Sequence, residues 1–152
     1  MKPTVVPFET LTLGATVTDV DLSQLDDDTW THIEKAFIEH AALVFPGQFL
    51  SRDDQVRFAE RFGDIEILRE NEKAVPISNR KADGSLYSPE EFRFKSLRGN
   101  EGWHLDSTYM PLAAKAGMLS AIELPSEGGE TELADMRACL LYTSDAADDF
   151  VR

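Results

Sequence analysis

Apolar residues in the N-terminal part of the chain recur at the spacing that predicts helices. In one segment they lie three or four residues apart, at Trp30, Ile33, Phe37 and Ala41. This spacing predicts an amphipathic helix over residues 29–40, and the acidic residues 26–28 before it would lie at the positive end of the helix dipole. A capping-box pattern at Ser51 predicts a second helix that continues to residue 62.

Shorter apolar runs predict strands on both sides of a long polar segment. The predicted strands cover residues 5–11, 15–20, 43–45, 102–106, 115–124 and 130–136. Residues 73–79 are a weaker strand candidate, and residues 80–100 are polar, contain Gly84 and Pro89, and predict a mobile loop. The pattern alone therefore predicts an α+β fold with antiparallel strands.

Composition and charge narrow the class of protein. The 152 residues are enough for one domain, and the net charge of −13 argues against a nucleic-acid partner, because phosphate neutralisation needs clustered Lys and Arg. No apolar run reaches the length of a membrane span, and the N-terminus lacks the apolar core of a secretion signal. The lone Cys139 excludes an internal disulfide. We therefore expect a cytoplasmic protein without a membrane partner.

The segment Trp103-His104-Leu105-Asp106 carries the clearest candidate chemistry. Residues two apart on an extended segment project from the same face, so His104 and Asp106 can reach one metal ion. With one further His they would form the facial triad that holds Fe(II) and leaves three positions open. A His-x-Asp tripeptide is a weak motif in an acidic chain, however. The alternative is a His that is hydrogen-bonded to a nearby Asp at the end of a strand.

Further motifs occur in a fixed order along the chain. They are Asp19-Val20-Asp21-Leu22, the segments 40–48 and 58–63, Leu124-Pro125 and Gly128-Gly129-Glu130-Thr131. With the His-x-Asp element, they resemble the taurine/2,4-dichlorophenoxyacetate (TauD/TfdA) family of Fe(II)- and 2-oxoglutarate-dependent dioxygenases, from Val5 to about Arg137. The resemblance implies part of a double-stranded β-helix with outer helices, incomplete at its C-terminus. It makes residues 71–100 a candidate lid.

The resemblance also implies roles for individual residues. His104 and Asp106 match the first two Fe(II) ligands and are the candidate catalytic residues. Thr131 matches the residue that binds 2-oxoglutarate, although a Thr also favours an ordinary strand. Asn100 matches a substrate-contacting position in some members, or is a simple turn residue. The implied reaction uses O2 to hydroxylate a small, anionic organic substrate, with release of succinate and CO2.

The chain departs from the family after residue 137. The family continues to a distal His and an Arg that pairs with 2-oxoglutarate, whereas this chain has no His after His104. We expect residues 138–152 to be a non-family tail produced by truncation or frameshift, and this chain to be inactive. The alternative is a non-catalytic fragment or a metal- or small-molecule-binding domain.

His32 and His40 are predicted helix residues rather than ligands. Trp103 is predicted to pack beside the metal. Homo-oligomerisation is left open.

Overall fold

The computed structural model describes residues 2–67 and 72–143, and the chain divides into two compact units. The first unit comprises Met1–Ser51 with Ser120–Arg152, and the second comprises Arg52–Leu119. In chain order the elements are β1 (Thr4–Pro7), β2 (Ala15–Thr18), a 3-10 turn (Leu22–Gln24), α1 (Asp27–His40), β3 (Leu43–Val44), α2 (Arg52–Glu60), α3 (Phe92–Gly99) and α4 (Met136–Thr143). The predicted mixture of helices and strands is confirmed.

The first unit is built on a three-stranded sheet with β2 in the centre. β1 pairs with β2 in antiparallel fashion, and β2 pairs with β3 in parallel. Ala15 and Val17 on β2 are fully buried, as is Ile33 on α1. The alternation of buried and less buried positions along β2 is the pattern expected for a strand with one face in the core.

Helix α1 begins and ends on specific capping contacts. The Asp26 carboxylate accepts a hydrogen bond from the Thr29 backbone N–H at 2.7 Å, which satisfies one of the free donors of the first turn. Ala41 follows the helix in the left-handed conformation, with φ 62°, and its N–H donates to the Phe37 carbonyl. Arg137 on α4 donates from Nη1 to the carbonyls of Ile38 and Glu39, at 3.2 and 3.3 Å. A cation therefore lies at the negative end of the helix dipole.

Gln48 joins two of the motifs singled out in the sequence. Its Oε1 accepts from the Leu22 backbone N–H at 2.9 Å, and its Nε2 donates to the Val20 carbonyl at 3.0 Å. The side chain thus replaces backbone partners that the short turn after β2 cannot supply.

The second unit contains α2, α3 and an ordered turn between them. Phe58 on α2 is buried and meets the Phe62 ring edge to face, with centroids 5.7 Å apart. Across the turn, the Tyr87 N–H donates to the Asn79 carbonyl at 2.9 Å, and the Asp83 carboxylate accepts from the Ser85 N–H at 2.9 Å.

The prediction of a loop over residues 80–100 is wrong for residues 92–99, which form α3, whereas residues 81–91 form turns without regular helix or strand; the mobility of this segment stays a prediction. The polar residues there act locally: Asp83 accepts from the Ser85 N–H, Glu91 accepts from the Ser88 N–H, and Lys81 forms a 2.9 Å ion pair with Glu91. Glu91 then precedes α3. Residues 73–79, the weaker strand candidate, do not form a strand, and residue 71 of the candidate lid lies outside the described residues.

The three strands predicted over residues 102–106, 115–124 and 130–136 are also absent from the described structure. A strand needs a neighbour to take its backbone hydrogen bonds, and the described residues place none beside these segments. Their large apolar side chains are consequently exposed, as at Leu119, Ile122 and Leu133. Residue 136 begins α4 instead.

The predicted domain boundary at residue 137 falls within α4, and residues 144–152 lie outside the described part of the chain. Among the described helices, none combines the length and apolar character needed to cross a membrane.

Candidate active site

His104 and Asp106 come together in the second unit. The His104 Nε2 atom lies 3.1 Å from the Asp106 Oδ1 atom, and the side chains are 49% and 80% exposed. The other ring nitrogen, Nδ1, lies 2.7 Å from the Gly102 carbonyl oxygen. A carbonyl oxygen can only accept, so Nδ1 carries the hydrogen and donates it. This contact fixes which nitrogen faces the carboxylate.

The arrangement has the form of two adjacent ligand positions. With Nδ1 protonated, Nε2 either carries a second proton and forms an ion pair with Asp106, or presents its lone pair beside the carboxylate oxygen. Two ligand atoms at right angles, each about 2.1 Å from a first-row metal, lie about 3.0 Å apart. The observed separation of 3.1 Å matches this value. The pair therefore fits two cis positions of a divalent cation, which would take the place of the proton.

The described residues supply two ligands at this point and not three. Among residues 2–67 and 72–143, no group of three or more His, Cys, Asp or Glu side chains is arranged to hold a metal ion. The high exposure of both side chains agrees with an open site. Trp103, predicted to pack beside the metal, is 71% exposed in this structure, and its role beside a metal stays a prediction.

A further polar contact, which sequence reasoning missed, fixes the turn that follows Asp106. Ser107 is buried and donates a hydrogen bond from Oγ to the Glu66 carboxylate. The Tyr109 hydroxyl donates to the other oxygen of Glu66 at 3.4 Å. The charge of Glu66 raises the pKa of the Tyr109 phenol. Glu66 and Ser107 are 41 residues apart in sequence, so no local pattern could have indicated the pair.

The other predicted site residues are Asn100 and Thr131. Asn100 is exposed and follows α3, where its backbone N–H donates to the Leu97 carbonyl at 3.1 Å. Thr131 is exposed and belongs to the first unit. The structure therefore assigns Asn100 a helix-end position and leaves the roles predicted for both side chains as predictions.

The two remaining histidines lie on α1, where they were predicted. The His32 Nδ1 atom is 2.8 Å from the Asp28 carbonyl, and His40 is the last residue of the helix.

Comparison with known proteins gives a consistent result. The family model of the taurine catabolism dioxygenase TauD, TfdA family matches residues 6–151. The chain is 49% identical over 129 residues to the (S)-phenoxypropionate/alpha-ketoglutarate-dioxygenase of Sphingobium herbicidovorans, covering 84% of this chain and 43% of that protein. It is 36% identical over 136 residues to the alpha-ketoglutarate-dependent 2,4-dichlorophenoxyacetate dioxygenase of Cupriavidus pinatubonensis, covering 82% and 47%. The chain thus spans somewhat less than half the length of these relatives.

A solved structure supports the same relationship. The crystal structure of AAD-2 in complex with Mn(II) and N-oxalylglycine superposes with a TM-score of 0.68 at 25% identity, over 75% of this chain and 43% of that one. The predicted family of 2-oxoglutarate-dependent dioxygenases, whose members use Fe(II) and O2, is therefore confirmed. The chain belongs to the taurine catabolism dioxygenase TauD, TfdA family.

Proposed function

We propose that this chain supplies the first two metal ligands of a 2-oxoglutarate-dependent dioxygenase, His104 and Asp106. The observation that carries the proposal is the 3.1 Å separation of Nε2 and Oδ1, with Nδ1 already bound to the Gly102 carbonyl. A neutral imidazole and an ionised carboxylate leave one positive charge on a divalent cation. That residual charge suits an anionic 2-oxoacid as the next ligand.

The bound Fe(II), with 2-oxoglutarate and O2, would supply the oxidation that couples release of succinate and CO2 to hydroxylation of a substrate C–H bond. The chain's own residues bind and orient. His104 keeps its ring direction through Gly102, and Asp106 presents a carboxylate oxygen beside it. Thr131 is proposed to donate its hydroxyl to the far carboxylate of 2-oxoglutarate. Asn100 is proposed to contact the substrate, and the segment 72–100 to act as part of a lid.

The proposed substrate is a small organic acid. The two relatives described above are named for phenoxypropionate and 2,4-dichlorophenoxyacetate, so aryloxyalkanoic acids are the first class to test.

The acidic charge of −13 and the family relationship support a cytoplasmic enzyme without a nucleic-acid partner. We also propose that the family fold to which this chain contributes is a double-stranded β-helix, because the exposed apolar side chains of segments 115–124 and 130–136 require a covering layer.

A second candidate function is binding without turnover by this chain. It is favoured by the two-ligand site, because the third ligand normally fixes the facial geometry that places 2-oxoglutarate and O2 side by side. We therefore expect the 152-residue chain, given Fe(II), ascorbate, 2-oxoglutarate and aryloxyalkanoic acids, to release no succinate above the level of free iron.

Equilibrium dialysis of 2-oxoglutarate against the purified chain tests the site itself. Retention of 2-oxoglutarate should require Mn(II) and should be lost in His104→Ala and Asp106→Ala. The matched controls His32→Ala and His40→Ala, which remove imidazoles on α1, should retain 2-oxoglutarate as the unaltered chain does. Retention without metal, or retention that survives Asp106→Ala, would refute the proposed ligand pair.

A further inference from the structure

We propose that Glu66 is the positioning residue for the Asp106 ligand, acting through Ser107; this inference rests on the proposed metal site. The Ser107 hydroxyl donates to one oxygen of Glu66, and the Tyr109 hydroxyl donates to the other at 3.4 Å. The carboxylate thus holds the chain at the residue that directly follows Asp106. Because the Asp106–Ser107 peptide is planar, holding Ser107 restricts the direction in which Asp106 leaves the backbone.

Ser107 has the features of an anchor. Within residues 101–110 it is the one buried residue, at 7% exposure, whereas Asp106 and Tyr109 on either side are exposed. Its φ is 59°, in the left-handed region that residues other than glycine seldom adopt. Such a conformation persists when surrounding contacts hold it. The hydrogen bond to Glu66 is a contact of this kind.

The other hydrogen bonds of this turn are local. The Met110 N–H donates to the Ser107 carbonyl at 3.0 Å, and the Thr108 hydroxyl donates to the Leu105 carbonyl at 3.4 Å. These bonds shape the turn but do not tie it to the rest of the unit. The hydrogen bond from Ser107 to Glu66 connects the turn to the rest of the unit, because Glu66 lies 41 residues before Ser107. His104 is oriented separately, by the Gly102 carbonyl. The two ligands therefore have independent supports.

Glu66 accepts hydrogen bonds here and is not a third ligand. Its two oxygens each face a hydroxyl donor, and the described residues form no three-ligand group. The Tyr109 phenol is protonated at neutral pH and is therefore a donor, and the charge of Glu66 raises its pKa further. A carboxylate that orients a ligand through hydrogen bonds is a recurrent feature of metal sites, where loss of such a partner typically weakens metal binding 10–100-fold.

The test measures Mn(II) affinity by the broadening of the His104 ring resonances in NMR spectra of the purified chain. Glu66→Ala should weaken Mn(II) binding about tenfold. Glu66→Gln should restore most of the affinity, because an amide oxygen still accepts from Ser107. Ser107→Ala should weaken binding as Glu66→Ala does, and the double variant should be no weaker than either single variant, since both remove the same contact. Glu60→Ala is the matched control, because Glu60 pairs with Lys73 in the same unit, and it should leave the affinity unchanged.

Four results would overturn the inference. One is an unchanged Mn(II) affinity in a Glu66→Ala variant whose circular dichroism shows a native fold. Another is a double variant whose loss equals the sum of the single losses. If the Glu66→Ala variant does not fold, the Ser107→Ala variant takes its place in the test. An unchanged Mn(II) affinity in Ser107→Ala would then reject the positioning role of Glu66. Absence of saturable broadening at His104 in the unaltered chain would reject the proposed metal site and this inference with it, whereas normal binding in every variant would reject the inference alone.

Discussion

Replacing Gly14 with Ala should destabilise the first unit through a contact that the structure defines closely. Gly14 precedes β2 with φ +97°, and a Cβ there would lie 2.4 and 2.6 Å from two ring carbons of Phe8. The backbone cannot move away easily. The Gly14 N–H donates to the His40 carbonyl at 2.8 Å, and its carbonyl accepts from the Phe8 N–H at 3.0 Å. The added methyl must therefore displace the Phe8 ring or break these bonds.

The expected loss combines three contributions. A residue other than glycine at this backbone torsion costs about 1–3 kcal/mol, and the collision with Phe8 costs about 1–3 kcal/mol as overpacking. The lower entropy of the unfolded chain offsets about 0.4–1 kcal/mol. The free energy of unfolding should consequently fall by about 3 kcal/mol.

Urea denaturation followed by circular dichroism measures this loss, and Gly47→Ala is its matched control. Gly47 lies in the same unit with φ +70°, but nothing lies within 4 Å of its added Cβ. It therefore reports the torsional cost without the collision, about 1 kcal/mol. A double variant tests the collision directly. In a Phe8→Ala chain the ring is absent, so the further change Gly14→Ala should lower the free energy of unfolding about as much as Gly47→Ala does in the unaltered chain. Equal losses for Gly14→Ala and Gly47→Ala would refute the proposed collision.

Two further predictions concern a helix cap and the cosubstrate. Hydrogen bonds from Thr29 lower the pKa of Asp26, so its capping contribution is present above the unfolded pKa of about 3.9 and is lost as pH falls through the lower folded pKa. Asp26→Asn should therefore show a smaller drop in melting temperature below about pH 4 than the unaltered chain, and identical acid profiles would contradict this. Thr131→Val should weaken 2-oxoglutarate retention in dialysis by about 1–3 kcal/mol while Mn(II) binding is unchanged; equal retention would remove Thr131 from the site.

The sequence was sufficient to predict several elements whose own residues show a clear apolar pattern. The spacing of apolar residues and the acidic residues 26–28 predicted α1, which covers Asp27–His40. The strand predicted over residues 15–20 was found as β2, Ala15–Thr18, although shorter. The His-x-Asp spacing likewise predicted that His104 and Asp106 would meet, since two residues separated by one position need no distant partner.

Several features that depend on distant partners were missed or predicted wrongly. The predicted strands over residues 115–124 and 130–136 have suitable composition, but a strand forms only beside a neighbour, and the described residues supply none. The helix α3 was missed because the polar residues around it predicted a loop, and Glu91 before the helix makes no side-chain capping hydrogen bond of the kind that a sequence pattern indicates. Glu66 gave no signal, because its contact with Ser107 depends on tertiary structure.

The most direct test of the central claim uses the three histidines of the chain as reporters of where a metal binds. Mn(II) added in small increments broadens the NMR signals of the rings closest to it. The proposed site predicts that the His104 ring signals broaden first, before those of His32 and His40, and that Asp106→Ala removes this preference. His32 provides a demanding comparison, because it lines a shallow depression with Asp26 and Asp28. Broadening of His32 at equal or lower Mn(II), or preferential broadening of His104 that persists in Asp106→Ala, would contradict the assignment of His104 and Asp106 as a ligand pair.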